Sequence, residues 1–273
     1  MESQSPTNEF EDCAVIVTGG ASGIGLATAS LFVTLGAHAV VADVDEAAMT
    51  SAGARIAGRL TTVHGDVSSL TDCGRVVQAA AATQLPLRAL VNCAASFLGR
   101  GADASPADWD NVLAVNVRAP ALMASAALPL LRAAGGASIV NVASVSGHIA
   151  QPDSWTYNTT KGAILALTRC QALDLAPDHI RVNSVSPGTI RTPALERRIA
   201  SDPDAMLATM GCQHILGRVG EPAEVASVIA FLCGRGASFM TGTDVAVDGG
   251  YLARGHDALR GEPARGGRPV DGG

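Results

Sequence analysis

Aromatic residues are scarce in this chain, at 3% of its 273 residues against 48% hydrophobic overall. A core with few large rings is built from small aliphatic side chains. Together with 30 glycines, that suits helices packed closely on a sheet better than a β-sandwich. Positive charge is also in short supply. Lysine and arginine total 19 against 25 aspartates and glutamates, a formal net charge of −6, which argues against nucleic acid or an anionic membrane as the main partner. Long apolar runs are missing, since none approaches the ~20 residues that cross a bilayer. The first residues, Met1–Asp12, are polar and acidic, without the basic start or apolar stretch of a secretion signal. The six cysteines (Cys13, Cys73, Cys93, Cys170, Cys212, Cys233) include no Cys-x-x-Cys and have no histidine at metal-ligand spacing. No metal site is therefore expected, and small buried thiols in a reducing cytoplasm are.

What is present is an alternation. Strand-like runs at Ala14–Thr18, Ala39–Ala42, Thr61–His64, Ala89–Asn92, Ala137–Ala143, Ile180–Val185 and Asp244–Val247 are separated by helical patterns. These fall at Ile24–Leu35, Glu46–Ala57, Ser69–Thr83, Pro106–Ala134, Trp155–Leu175 and Pro222–Cys233. The long fourth helix is expected to bend near Pro120 and to end after Pro129. Such alternation implies right-handed crossovers and a parallel sheet covered on both faces. The expected fold is a single doubly wound, Rossmann-like α/β domain over residues 13–253. A polar arm (residues 1–12) precedes it, and a Gly-, Arg- and Pro-rich tail (residues 254–273), read as disordered, follows it. After Pro187-Gly188 the rhythm breaks. Thr189–Leu216 is longer than an ordinary connection and reads as a lid.

Tyr157 and Lys161 stand four residues apart on a helical pattern, hence on one face. An ammonium beside a phenol favours phenolate, and a tyrosine adjusted in this way moves protons to or from an alcohol. On its own such a pair is an ordinary solvated helix face. Ser144 supports the chemical reading, because it closes a buried strand where open α/β folds place working groups. The turn Thr18-Gly-Gly-Ala-Ser-Gly-Ile-Gly25 supports it further, since it follows the first strand and opens the first helix. That is where backbone N–H groups meet a pyrophosphate. Asp43 lies 18 residues beyond Gly25, at the spacing of a carboxylate that bonds an adenosine ribose and repels a 2′-phosphate. Neither Ser22 nor Val44 supplies a basic group, so NAD is favoured over NADP.

In combination these residues resemble the short-chain dehydrogenase/reductase family over roughly Cys13–Gly250. The matching motifs are Thr18–Gly25, Asp66-Val67, Asn92, Asn116, Ser144, Tyr157–Lys161 and Pro187-Gly188. The resemblance implies that Gly19, Ser22, Gly23, Ile24, Gly25, Asp43, Asp66, Val67, Asn92, Ala94, Pro187, Gly188, Ile190 and Thr192 serve the dinucleotide. Within that set, Asp66 and Val67 would contact the adenine, Asn92 would stabilise the sheet, and Pro187–Thr192 would face the nicotinamide. Asn116 would hold a water in a proton relay and Ser144 would bond the reacting oxygen. Tyr157 would be the acid/base, and Lys161 would bind ribose hydroxyls. One departure is visible: Asn92-Cys93-Ala94-Ala95 stands where the family has Asn-Asn-Ala-Gly, so a methyl occupies a place of close backbone approach.

The implied activity is an NAD-dependent alcohol dehydrogenase or ketone reductase acting on a small molecule, assembled as a homotetramer. The tetramer would pack the small-residue face Ala119, Ala121, Ala124 and Ala127 across a two-fold axis. Rival readings are a 3-oxoacyl-thioester reductase and a non-catalytic dinucleotide-binding protein. The substrate is expected between Ser144–Tyr157, Ser96–Leu98 and the lid, among Phe97, Leu98, Ile149, Trp155, Leu195, Met206, Leu207 and Met210. His148 and Gln151 are the polar groups nearby, although a solvated loop histidine and a packing tryptophan are the plainer readings of His148 and Trp155. Apolar walls suit a neutral, compact and cyclic alcohol.

Overall fold

The computed structural model describes residues 9–56 and 58–255. The expected arm as far as Asn8 and the expected tail from His256 lie outside them. The strands are β1 (Ala14–Thr18), β2 (His38–Asp43), β3 (Leu60–His64), β4 (Leu87–Asn92), β5 (Ala137–Val142), β6 (Ile180–Pro187) and β7 (Asp244–Val247). The helices are α1 (Gly23–Thr34), α2 (Glu46–Arg55), α3 (Leu70–Ala82), α4 (Pro106–Leu113), α5 (Ala119–Ala133), α6 (Trp155–Leu175), α7 (Pro193–Arg198), α8 (Pro203–Gly211) and α9 (Pro222–Cys233).

All seven strands join one sheet in the order β3-β2-β1-β4-β5-β6-β7, and every pairing is parallel. The chain runs outward from β1 to β3, then crosses back to β4 and runs the other way. At that reversal the connections leaving β1 and β4 go to opposite faces, which opens a crevice at their C-terminal ends.

Alternating residues of each strand feed two cores. Val15, Val17, Val41 and Val91 pack with Phe32 of α1 and Ile229 and Leu232 of α9. Ala14, Ile16, Val40 and Ile139 pack on the other face with Val76 of α3, Met123 and Leu131 of α5 and Ala172 of α6. Each fully buried large side chain contributes about 1.5–3 kcal/mol, so the rim of the crevice is held by a rigid double core. Phe10 meets Phe32 edge-on at 4.9 Å and anchors the entry to β1. Cys13, Cys73 and Cys233 are buried as expected, but Cys170 and Cys212 are exposed.

Three features mark the segment Pro106–Ala134. Just before Pro120, α4 passes through a π-helical turn, Ala114–Arg118, into α5. Proline has no N–H for the preceding turn, and the helix accommodates Pro120 by widening just before it. The helix ends after Pro129, as expected: α5 carries Pro129 inside it and runs on to Ala133. Finally, Pro106–Ala133 is a 28-residue helix that is long and apolar enough to cross a membrane by length and composition. In this fold it spends its apolar face on the sheet through Val112, Ala119, Met123, Ala124, Ala127 and Leu131. That also removes Ala119, Ala124 and Ala127 from the outward face on which a tetramer was expected to pack.

Candidate active site

The glycine turn closes tightly on itself at the end of β1. Gly19 has φ +64, and a Cβ on Gly25 would stand 2.1 Å from the Gly19 carbonyl oxygen. A Cβ on Gly19 would likewise meet Ala94 Cα at 2.7 Å, so the turn lies flush against the loop after β4. Thr18 stitches the two together: its Oγ1 accepts from the N–H groups of Cys93 and Ala94 at 3.1 and 3.2 Å. No side chain caps Ser22 at the start of α1, which leaves that helix end with the unsatisfied donors that suit a phosphate. Asp43 ends β2 at the rim of the same turn, where its carboxylate accepts from Ala21 N–H and Asp45 N–H, each at 3.1 Å. A glycine cradle, an uncapped helix start and a rim carboxylate together fit a dinucleotide.

The other residues expected to serve a cofactor are held as follows. Asp66 organises the turn after β3 by accepting from Ser68 N–H at 2.9 Å, and Val67 is buried. Asn92, buried at the end of β4, donates to Asn141 Oδ1 at 2.8 Å, and Asn141 donates to Thr168 and Gln171 of α6. Ala95 keeps a negative φ, so alanine fits this backbone where the family pattern has glycine.

The residues expected to handle protons lie at β5's C-terminal end and on α6. Ser144 is buried and extended, and its Oγ accepts from Ser146 N–H at 3.1 Å. The turn that follows presses on α6 so closely that a Cβ on Gly147 would lie 2.8 Å from the Lys161 carbonyl oxygen. That contact packs the turn that begins at Ser144 against α6 at Lys161. Helix α6 buries Thr156, Thr160, Ile164, Thr168 and Ala172 at four-residue spacing, and Lys161 shares this inner face. Lys161 Nζ donates to the Val142 carbonyl at 2.8 Å and lies 5.5 Å from the Tyr157 ring centroid. Burial pushes its ammonium down to about 8. Lys161 is also the sole lysine of the chain, a compositional signal that the Tyr-x-x-x-Lys spacing alone does not convey.

Asn116 lies in the π-helical turn, and its side chain is committed to protein partners. Its Oδ1 accepts from Ser96 N–H at 2.7 Å, and its Nδ2 donates to the Ser96 carbonyl at 2.9 Å and to Thr160 Oγ1 at 3.1 Å. It therefore clamps the loop after β4, a role not visible in the sequence. Thr156 clamps the same loop from α6: its Oγ1 donates to the Leu98 carbonyl at 2.7 Å and accepts from Arg100 N–H at 3.0 Å. Between these clamps Phe97 lies 61% exposed, its ring stacked on Tyr157 at 5.9 Å.

The segment after β6 runs back toward the glycine turn. Gly188 N–H donates to the Val247 carbonyl at 3.1 Å, and Ile190 pairs with Gly220 in an isolated bridge. Thr192 caps α7 by accepting from Leu195 N–H, and its methyl carbon lies 3.1 Å from where a Cβ on Gly23 would be. The lid itself folds as α7 and α8. His148 is not a pocket group: its Nε2 turns to Asp244 Oδ2 at 3.0 Å and Ser186 Oγ at 3.2 Å, because an acidic strand-edge partner outcompetes an apolar wall. Gln151 is occupied in accepting from Ser146 Oγ at 2.7 Å. A cavity of about 430 Å³ borders Thr189, Ile190, His214, Leu216 and Gly249, but neither Ser144 nor Tyr157 lines it. His214 is the residue that sequence reasoning missed, since an isolated histidine in a lid carries no motif.

Residues 19–252 match a family model described as enoyl-(acyl carrier protein) reductase. The chain is 37% identical over 246 residues to cyclopentanol dehydrogenase of Comamonas testosteroni, covering 89% of this chain and 98% of that one. It is 39% identical over 248 residues to cis-4-hydroxycyclohexanecarboxylate dehydrogenase of Sinomonas cyclohexanicum, again covering 89% and 98%. To the human dehydrogenase/reductase SDR family member 4 it is 36% identical over 246 residues, 88% of this chain and 87% of that one. With the parallel seven-stranded sheet and the Ser144, Tyr157 and Lys161 constellation, these matches establish an oxidoreductase that belongs to the short-chain dehydrogenase/reductase family.

Proposed function

We propose that the chain interconverts a small, mostly apolar secondary alcohol and its ketone with NAD(H). The observation that carries this reading is a buried ammonium, Lys161, set against the ring of Tyr157 and bonded to the Val142 carbonyl at the end of β5, two residues before Ser144. The bound nicotinamide would supply the hydride acceptor or donor. The chain's own groups would do the rest. Gly19, Ser22, Gly23, Ile24 and Gly25 would hold the pyrophosphate, and Asp43 the adenosine ribose. Asp66, Val67, Asn92 and Ala94 would enclose the adenosine half, and Pro187, Gly188, Ile190 and Thr192 the nicotinamide half. Ser144 would orient the substrate oxygen by hydrogen bonding while Tyr157 takes or returns its proton. Lys161 would hold ribose hydroxyls and favour the phenolate. Because the Asn116 side chain is spent on Ser96 and Thr160, a relay water would rest on its main chain.

Asp43 favours NAD, because a 2′-phosphate would meet a carboxylate already fixed by two backbone N–H groups. A preference of at least about tenfold corresponds to ~1.4 kcal/mol. The exposed Phe97 against Tyr157 supports an apolar substrate, and two relatives named for ring alcohols support a cyclic one. The description of the matching family model keeps a carrier-bound acyl substrate as the second reading.

The test pairs Tyr157→Phe with the unmodified enzyme on neutral cyclic alcohols and on anionic hydroxy acids of similar size. Turnover should fall by about 10²–10⁴ in the variant with NADH binding unchanged, and neutral alcohols should be preferred. Substantial turnover in Tyr157→Phe would remove the central assignment. A preference for anions that is lost on replacing Arg197, an exposed cation of α7 in the segment read as the lid, by Ala would overturn only the substrate class.

A further inference from the structure

His214 follows α8 in the turn Gly211–Gly217 and is almost wholly enclosed, at 3% exposure. Both of its ring nitrogens face main-chain groups. Nε2 lies 3.1 Å from the backbone nitrogen of Thr189 and Nδ1 lies 2.9 Å from the carbonyl oxygen of Met210. An N–H only donates and a carbonyl only accepts, so Nε2 must be the acceptor and Nδ1 must carry the proton. This arrangement selects one neutral tautomer. The ring is wedged in place: Tyr251 meets it at 5.3 Å between centroids, and a Cβ on Gly188 would stand 2.8 Å from Nε2. The Thr189 peptide is gripped from the other side as well, its carbonyl accepting from Gly220 N–H at 2.9 Å. Met210 belongs to the last turn of α8, and its carbonyl accepts from the Gln213 N–H at 3.1 Å as well as from the imidazole. One imidazole thus joins the lid helix to the segment that starts at Pro187-Gly188.

We propose that His214 is a positioning residue for the dinucleotide: as the neutral Nδ1–H tautomer it sets the height of the Thr189 amide, and with it the Pro187–Thr192 wall, and ties that wall to α8. This rests on the reading above that Pro187–Thr192 faces the nicotinamide. The side chain need not touch the dinucleotide; it acts through Thr189.

The experiment titrates the full chain and three variants with NADH and with ADP-ribose, which lacks the nicotinamide. His214→Leu fills the volume without an acceptor and should weaken NADH about tenfold, the worth of one buried hydrogen bond, while ADP-ribose binding stays unchanged. A glutamine amide reaches the Nε2 position and an asparagine amide the Nδ1 position, so His214→Gln should restore most of the NADH affinity and His214→Asn should resemble His214→Leu. Imidazole ¹⁵N spectra of the unmodified protein should show the Nδ1–H tautomer at the resonance lost in the variants. Equal losses for both ligands, no loss for either, or an Nε2–H or cationic ring would overturn the proposal. Equal affinity of the unmodified chain for NADH and ADP-ribose would instead overturn the placement of the nicotinamide end, and the proposal with it.

Discussion

Lys161 illustrates a functional side chain held against its own solvation preference. Removed from water, its ammonium is charged only below about 8, against an ordinary value of 10.5. Between those two values the unfolded chain binds a proton that the folded chain does not, so stability rises with pH across that interval. Below pH 8 the cost of burying the charge is fully present; above 10.5 it is gone. Replacing Lys161 by Met removes the titration. From pH 7 to 10.5 the unmodified enzyme should therefore gain on the order of 2–3 kcal/mol of stability relative to Lys161→Met, as read by denaturant unfolding of both proteins at each pH. A flat difference would mean that the ammonium is better solvated than its enclosure implies. Catalysis should follow the opposite sense, with activity that depends on the charged lysine declining above pH 8.

At the scale of elements, the site is assembled by clamps between segments far apart in the chain. The π-helical turn between α4 and α5 holds Asn116 so that one amide takes both main-chain groups of Ser96 and a hydroxyl of α6. Asn116→Ala would leave a part-buried N–H and carbonyl unpaired, at a cost of about 1–3 kcal/mol. Thermal unfolding should show the lost stability, and the freed Ser96–Leu98 loop should raise KM because Phe97 then loses its register on Tyr157. Ser96→Ala is the control, since the clamp uses the main chain of Ser96. A variant Asn116→Ala as stable as the parent and with unchanged KM would show that the loop is held by Thr156 alone.

For the whole molecule, the expected tetramer needs a different surface from the one first read. Ala119, Ala124 and Ala127 face the sheet, so close approach of α5 helices would use its outer residues, while α6 presents Leu173 at 77% exposure. Light scattering at micromolar concentration should give four times the monomer mass, and Leu173→Glu should lower it. A monomer in the unmodified protein would refute the assembly.

The sequence alone determined the alternation of strands and helices, and with it the parallel sheet. It also determined where the glycine turn, Asp43, Ser144 and the Tyr157–Lys161 pair fall along the chain. These were legible because each is a local matter: side-chain periodicity, backbone permissiveness at glycine, one turn of helix. What tertiary structure decided are the long-range choices among partners of equal local plausibility. His148 read most plainly as a solvated loop histidine, and only the fold brings it to Asp244, 96 positions away. Asn116 was read as holding a relay water, and only the fold shows that Ser96 and Thr160 take its side-chain amide. Pro120 was expected to bend the helix, and only the fold shows the π-helical turn just before it. His214 carried no local signature at all, because its role exists only where the end of α8 and the segment after β6 converge on one imidazole, and convergence of that kind is a property of packing, not of spacing.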